Sequence, residues 1–314
     1  MVRQFPQHYH QIEKLFEFLI YHQKQTVDYN TMLEAVSIEK PMLQKLCMDW
    51  AGVDFETLCS AVGVDFQQTN SKQNLLKILR DTVPNKPFIT NEKRVKIYPI
   101  TPEERLTEKH PLTISYSFYN SVFGETFIAA TPQGICRLSF DNNRDAALTE
   151  LQQSFPNATC VEQNNWLHQL ALQAMRHPCD RSLPVLPLHV KGSNFQLRVW
   201  RQLLKIPVGD VITYGDVACR MNKPGASRVV GNAAGSNPVA YFIPCHRVVL
   251  SSGALGGFRW GFVRKLAIIA WERATCFNSE HNEHDLSDTG HSIVQIEAID
   301  REIQLQKKKN LRDI

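Results

Sequence analysis

The chain has 314 residues, 43% hydrophobic and 21% charged, which is room for two or three domains of an ordinary globular protein. No apolar run approaches the ~20 residues of a membrane span, and the start, Met1 to His8, lacks the apolar core of a signal peptide, so a reducing, cytoplasmic setting with no membrane partner is expected. The net charge of +4 is unevenly spread: residues 191–276 hold twelve Lys/Arg against three acids, a net of +9, and the rest holds 23 against 28, a net of −5. Basic charge gathered in one segment is the footprint of a surface that meets phosphates; a solvated basic face is the alternative. The eight cysteines are scattered with no C-x-x-C pair, which favours neither a disulfide frame nor a zinc cluster.

Residues 1–80 read as helical. Ile12, Leu15, Phe16 and Leu19 recur at helical spacing, and a second unit follows from Met32 to Val36. Leu43, Leu46 and Trp50 mark one face of a third helix, and Gly52 suits its C-cap. Phe55, Leu58, Cys59 and Val62 begin a fourth. Residues 81–110, with Pro84, Pro87, Pro99 and Pro102, read as a linker. From 111 the pattern becomes strand-like: Thr113 to Tyr119 alternates, and Gly124 to Thr131 and Gly134 to Phe140 follow, with Gly134 as the turn. Helical patterns at 144–155 and 164–176 complete a unit over 111–190.

The segment 191–276 opens with a helical pattern from Phe195 through Leu204. Thr213 to Ala218 and Ala226 to Ala234 form two further short helical patterns, split by the turn Asn222-Lys223-Pro224-Gly225, which reads as a helix-turn-helix. The glycine-punctuated run Ser251 to Gly261 predicts a hairpin, and hence a winged version. Lys265 to Arg273 is an apolar-periodic helix that carries Glu272. In the tail, 277–314, a polar stretch precedes Ile293, Ile296, Ile299 and Ile303 at helical spacing. A docking helix, a self-association element and a solvated tail all remain open there.

Within 191–276 the run Ile243-Pro244-Cys245-His246-Arg247-Val248-Val249, just after Asn237-Pro238, carries the most chemistry. A free cysteine titrates near pH ~8.5, and cationic or His-linked surroundings lower that value. Such a thiol is poised to attack carbon; a buried structural cysteine is the alternative.

These residues together resemble the C-terminal domain of the O6-alkylguanine-DNA alkyltransferases (methylated-DNA–protein-cysteine methyltransferases). The Pro-Cys-His-Arg-Val signature, the preceding Asn-Pro, the Ser227-Arg228-Val229-Val230-Gly231 helix and the Gly-rich wing carry the resemblance. Residues 111–190 resemble that family's N-terminal half, whose ribonuclease H-like fold carries no nuclease function. Met42 to Leu58 resembles the DNA-binding half of AraC-type regulators in the form fused to alkyltransferases. Its would-be recognition helix, flanked by Glu39 and Asp49, offers only Lys40 and Lys45 as basic groups, and a small helical domain without a DNA role is the alternative. The implied architecture is multidomain α/β: a small helical N-terminal domain, a ribonuclease H-like α/β subdomain and a C-terminal winged helix-turn-helix alkyltransferase domain.

The resemblance implies irreversible transfer of an alkyl group from O6-alkylguanine in double-stranded DNA to Cys245, with O4-alkylthymine left open as a second substrate. His246, held by Glu272, would take the thiol proton through a bound water, Tyr214 would protonate the departing base, and Asn237 would tie the recognition helix to the active-site turn. Arg228 would fill the place of the flipped-out base, on a helix whose small residues Ala226, Ser227 and Gly231 allow close approach to DNA. The base pocket would use Cys245, Val248 and Arg259, with Trp260 disfavouring large adducts. No metal or organic cofactor is implied, and the four-cysteine zinc module of the adaptive-response activators has no counterpart in the cysteine pattern. The expected state is a cytoplasmic, nucleoid-associated monomer with no obligatory protein partner. Two rivals remain: a regulator or non-catalytic lesion sensor on the same scaffold, and a Cys-His hydrolase that would turn over.

Overall fold

The computed structural model describes residues 6–22, 29–62, 89–102, 104, 112–141 and 143–278. The expected tail helix and the rest of the residues expected at 63–88 lie outside these.

The sheet that organises the fold is mixed, with β1 (Val95–Pro99), β2 (Thr113–Ser121), β3 (Gly124–Thr131), β4 (Gly134–Ser139), β5 (Thr159–Glu162) and β6 (Leu186–Val190) in the order β1-β6-β4-β3-β2-β5. The β2–β3 and β3–β4 pairs are antiparallel, and the remaining pairs are parallel. Successive side chains of a strand face opposite sides, and β3 shows the consequence. Phe127 and Ala129 pack with Ala147, Leu151 and Phe155 of and beside α5 (Arg144–Ser154). Ile128 and Ala130 join the larger core with Leu167, Leu170 and Met175 of α6 (Trp166–Arg176). Gly134 permits the close approach of β4 to β6, since a Cβ there would stand 2.6 Å from the Pro187 carbonyl oxygen.

The expected linker at 81–110 is corrected. Asn91–Lys93 form a 3-10 turn, and β1 is an edge strand in parallel register with β6, Val95 opposite Leu186 and Pro99 opposite Val190. The alternation of buried Val95 and Ile97 with exposed Lys96 and Tyr98 is a strand signal that the surrounding prolines obscured.

In the C-terminal part α7 (Asn194–Leu203) is opened by a capping box between Ser193 and Gln196, and α8 (Tyr214–Arg220) by one between Thr213 and Asp216. After a turn containing Asn222 and Gly225, both at positive φ, α9 (Ser227–Gly235) packs on α8 and α7, and Trp200 Nε1 donates to the Ala233 carbonyl (2.8 Å). The two short helices expected on either side of this turn therefore form. The expected hairpin at Ser251–Gly261 does not form. The strand before it, β8 (Val248–Val249), pairs in parallel with β7 (Ile212–Thr213), and the glycine-rich run is an irregular loop begun by a turn in which Gly253 N donates to the Leu250 carbonyl. Gly253, Gly256 and Gly261 at positive φ bend it away from a two-stranded ladder. The last described helix, α10 (Phe262–Asn278), is buried through its middle.

The N-terminal helices α1 (Pro6–Tyr21), α2 (Tyr29–Val36), α3 (Lys40–Ala51) and α4 (Phe55–Ala61) form as the spacing predicts, with Gly52 at φ 74° capping α3. They share one contiguous apolar core with the rest of the protein. Trp50 donates from Nε1 to the Val122 carbonyl (2.8 Å) in the β2–β3 turn and packs its ring on Trp271 of α10, with 5.2 Å between centroids. Cys179 is disulfide-bonded, where the local cysteine spacing favoured no disulfide frame.

Candidate active site

Cys245 begins a 3-10 turn, Cys245–Arg247, inside a buried run from Val239 to Val249. The run is attached to the sheet, since Leu138 N at the end of β4 donates to the Pro238 carbonyl and Ala240 N donates to the Leu138 carbonyl. Asn237 folds the run on itself. Its Nδ2 donates to the Ile243 carbonyl (2.7 Å) and to Cys245 Sγ (3.2 Å), and its Oδ1 accepts from Val239 N (2.9 Å). Asn237 thus ties the active-site turn and reaches the sulfur itself.

Burial pushes the Cys245 thiol above its ordinary range, against the Asn237 hydrogen bond and the Lys265 charge, which pull it down. The expected lowering by cationic surroundings is present through Lys265 and is outweighed by burial. Arg247 turns its charge to Glu272 instead, donating from Nη2 to Oε1 (2.7 Å) and from Nε to Oε2 (2.9 Å), and it caps the Ile206 carbonyl (2.7 Å). Left protonated at neutral pH, the thiol needs a base.

His246 follows Cys245 in the same 3-10 turn. Its Nε2 lies 2.9 Å from Glu272 Oε1, so an Nε2–H tautomer donates to the carboxylate. Nδ1 is buried with no hydrogen-bonding partner among the described residues. Burial lowers the His246 pKa, with Glu272 working against that, so the imidazole is neutral and able to accept a proton at pH 7. For Glu272, burial alone would raise the carboxyl; Arg247 and His246 override it and hold the carboxyl at about 2. Gly209 N also donates to Glu272 Oε2 (3.0 Å).

The remaining expected residues fall into two groups. Tyr214, first residue of α8, is half-buried between α9 and the glycine-rich loop: a Cβ on Gly231 would meet its ring at 3.7 Å and one on Gly256 at 3.8 Å. Burial raises its pKa, and the Cys245 charge adds to the rise, so Tyr214 sits within electrostatic reach of the sulfur and keeps its proton. Val248 is buried in β8 directly beyond the turn. Away from the sulfur, Ser227 and Arg228 are exposed at the start of α9 beside exposed Val229, and half-buried Ala226 precedes them. Arg259 is exposed and ion-paired to Glu150 of α5, with its guanidinium 5.9 Å from the centre of the Trp260 ring. Trp260 is buried edge-on against Phe140 (6.0 Å) and Phe258 (5.1 Å).

Three residues that sequence reasoning did not assign complete the site. Lys265 is buried in α10 and donates from Nζ to the carbonyls of Val248 (2.6 Å) and Leu255, bracing the loop beside the cysteine. Burial brings its pKa down to about 8, opposed by the Cys245 charge. Arg247 stood in plain view within the signature, but its direction did not. Asn91 donates from Nδ2 to the Phe242 carbonyl (2.9 Å) and accepts from Arg247 Nη2 (3.4 Å) across 156 positions of sequence, a reach no local pattern announces. Four of the twelve cations between 191 and 276, namely Arg247, Arg264, Lys265 and Arg273, are buried, so the basic excess serves the interior as well as the surface. Among the described residues no cluster of three or more His, Cys, Asp and Glu could hold a metal ion. No helix among them is long and apolar enough to cross a membrane.

Two helices and the turn that splits them, with Arg220, Lys223 and Arg228 exposed on them, thus share this part of the chain with a buried thiol that precedes a carboxylate-anchored imidazole. The family model described as 6-O-methylguanine DNA methyltransferase, DNA binding domain, matches residues 194–274, and that of the family's ribonuclease-like domain matches 114–174. The inducible methylated-DNA–protein-cysteine methyltransferase of Bacillus subtilis is 36% identical over 149 residues, 47% of this chain and 83% of that protein. The chain therefore belongs to the 6-O-methylguanine DNA methyltransferase family. It is also similar to the regulatory protein ada of Salmonella typhimurium (36% identity over 162 residues) and to the bifunctional transcriptional activator/DNA repair enzyme Ada of Escherichia coli (34% over 162 residues). Each of these matches covers 51% of this chain and 46% of the relative, so the chain spans about half the length of those two proteins.

Proposed function

We propose that the protein repairs DNA by moving an alkyl group from O6 of guanine in a duplex onto Cys245, each molecule acting once. The observation that carries this reading is the buried Cys245 thiol, held by Asn237 beside His246 whose Nε2 is anchored on Glu272 and whose Nδ1 is free. His246 Nδ1 takes the thiol proton through a water, the sulfur attacks the alkyl carbon, and the C–O bond breaks as the C–S bond forms. The electron pair stays on guanine, which takes a proton from Tyr214. The target carbon is stacked inside a duplex and must be extruded first. Exposed Arg228 at the start of α9 supports a role in filling the vacated place, with the basic face of α7 to α9 on the phosphates. The thioether product has no resolving cysteine motif to reverse it. The working form in this reading is a cytoplasmic monomer on duplex DNA.

Intact-protein mass after mixing with a duplex containing one O6-methylguanine tests the reaction. A single methyl gained by the wild type and none by Cys245→Ala is the expected result. Tight binding with no gain in mass would make the protein a lesion sensor, and repeated turnover would make it a hydrolase.

A further inference from the structure

Tyr241 has no part in the reaction above, yet it stands four residues before Cys245 with φ 68°, one of three non-glycine residues at positive φ among those described. Such a backbone is strained and persists only where the surroundings over-determine it. The ring is what they hold. It lies nearly parallel to the His246 imidazole, 13° between planes and 5.9 Å between centroids. Phe242 meets it edge-on at 5.3 Å, Phe123 lies tilted against it by 39° at 5.5 Å, and its hydroxyl donates to the Met175 carbonyl (3.4 Å).

Phe123 in turn touches Trp271 (5.9 Å), Trp271 touches Trp50 (5.2 Å), and Trp50 touches Phe16 (6.0 Å). A continuous file of rings therefore runs from α1 and α3 to the imidazole. The charged and titratable groups around that imidazole are Glu272 and Lys265 from α10, Arg247 and Cys245 from its own turn, and the Tyr241 phenol, with Arg94 acting on the phenol. Among the described residues only Glu272 makes a hydrogen bond to the imidazole. One hydrogen bond fixes one point of a ring and leaves it free to pivot about that bond; a flat neighbour fixes the plane.

We propose that Tyr241 is a positioning residue for His246, its ring holding the imidazole plane so that Nδ1 stays aimed at the Cys245 side while Nε2 stays on Glu272, with the aromatic file from the N-terminal helices as its brace. This rests on the proposed transfer for its activity readout only. The ring supplies the effect, so Tyr241→Phe keeps it and Tyr241→Leu removes it.

The experiment measures single-turnover methyl transfer against pH, duplex affinity, and the titration of His246 by NMR for wild type, Tyr241→Phe and Tyr241→Leu. Tyr241→Phe is expected within about threefold of wild type, with its pH profile unmoved. Tyr241→Leu is expected to be slower by about 10- to 100-fold, the scale of a misplaced catalytic group, with duplex affinity unchanged. Its His246 titration and the acid limb of its rate profile move up towards the ordinary 6.5, because desolvation is what lowers them. A slow Tyr241→Leu with both curves unmoved, or Phe and Leu variants equally slow, would overturn the proposal. So would a Leu variant at the wild-type rate. If Tyr241→Leu does not fold, Phe123→Leu, one ring further out, must move the titration in the same direction by less; no movement overturns the proposal as well. A wild type that gains no methyl would sink the transfer reaction, and the NMR titration would still judge Tyr241.

Discussion

Replacing Glu272 by Gln tests the centre of the site, because four donors converge on this one carboxylate: His246 Nε2, Arg247 Nε and Nη2, and Gly209 N. A carboxamide has a single oxygen, so its NH2 group must face at least one of those donors. Whichever way the carboxamide turns, Arg247 loses one of its two hydrogen bonds to this side chain and its countercharge, and stays buried with one Gln oxygen, the Ile206 carbonyl and Asn91 Oδ1 as acceptors. Breaking a buried pair by removing one partner costs about 3–5 kcal/mol. Titration gives an independent figure: the carboxyl is held at about 2 against an ordinary 4.5, and at 1.36 kcal/mol per pH unit this is about 3 kcal/mol. That stability is fully present above pH 4.5 and is lost as pH falls towards 2, where both folded and unfolded chains carry a protonated carboxyl. The expected result is a loss of about 3 kcal/mol in urea unfolding of Glu272→Gln at pH 7, and a gap from wild type that narrows as pH falls below 4.5. Methyl transfer should slow by about 10²- to 10⁴-fold, the usual worth of a positioned general base. A stability loss under about 1 kcal/mol, or a gap independent of pH, would refute the electrostatic account of the site.

Arg228→Ala should slow transfer from duplex DNA by about 10- to 100-fold, a loss on the scale of the few kcal/mol that base extrusion costs, while leaving reaction with free O6-methylguanine within about twofold; equal losses on both substrates would remove Arg228 from the flipping role. Trp260→Gly should speed reaction with a benzylated guanine, measured as adduct mass against time, and no acceleration would mean that Trp260 does not set adduct size. Lys265→Met removes the charge that pulls the Cys245 thiol down, so alkylation by a small thiol probe should titrate at higher pH. An unmoved titration would show that the lysine acts only through its carbonyl contacts.

The helices were readable because burial and period coincide: Ile12, Leu15, Phe16 and Leu19 are buried, as are Leu43, Leu46 and Trp50. The break between α8 and α9 was readable from its turn, and Ser193 and Thr213 close capping boxes that local sequence alone can form. Two local readings failed because the deciding partner is remote. Val95 to Pro99 is a strand only because β6 lies beside it, and Ser251 to Gly261 is not a hairpin because β8 pairs with β7. At the site, the signature located Cys245, His246 and their carboxylate. It did not show that Arg247 points away from the sulfur, that Asn91 closes the network, or that burial outweighs nearby cations in setting the thiol.

That last reversal bears on how a thiol used once can be kept for its purpose. The thiolate is the form that oxidants and stray electrophiles attack, so a cysteine lowered well below neutral pH would be exposed to loss before meeting its substrate. Burial raises Cys245 and keeps it protonated, while Asn237 and Lys265 hold it within reach of ionisation. In the proposed reaction the base is His246, which burial keeps neutral, and the negative charge of Glu272 would favour the imidazolium formed when the proton arrives. Nucleophilicity is thus confined to the moment when His246 takes the proton and an electrophilic carbon is in line. On this argument, substitutions that open the site to water should raise the rate of loss to peroxide and lower the yield of methyl transfer together. A variant that oxidises faster yet transfers as fully as wild type would separate the two and show that burial does not protect this thiol.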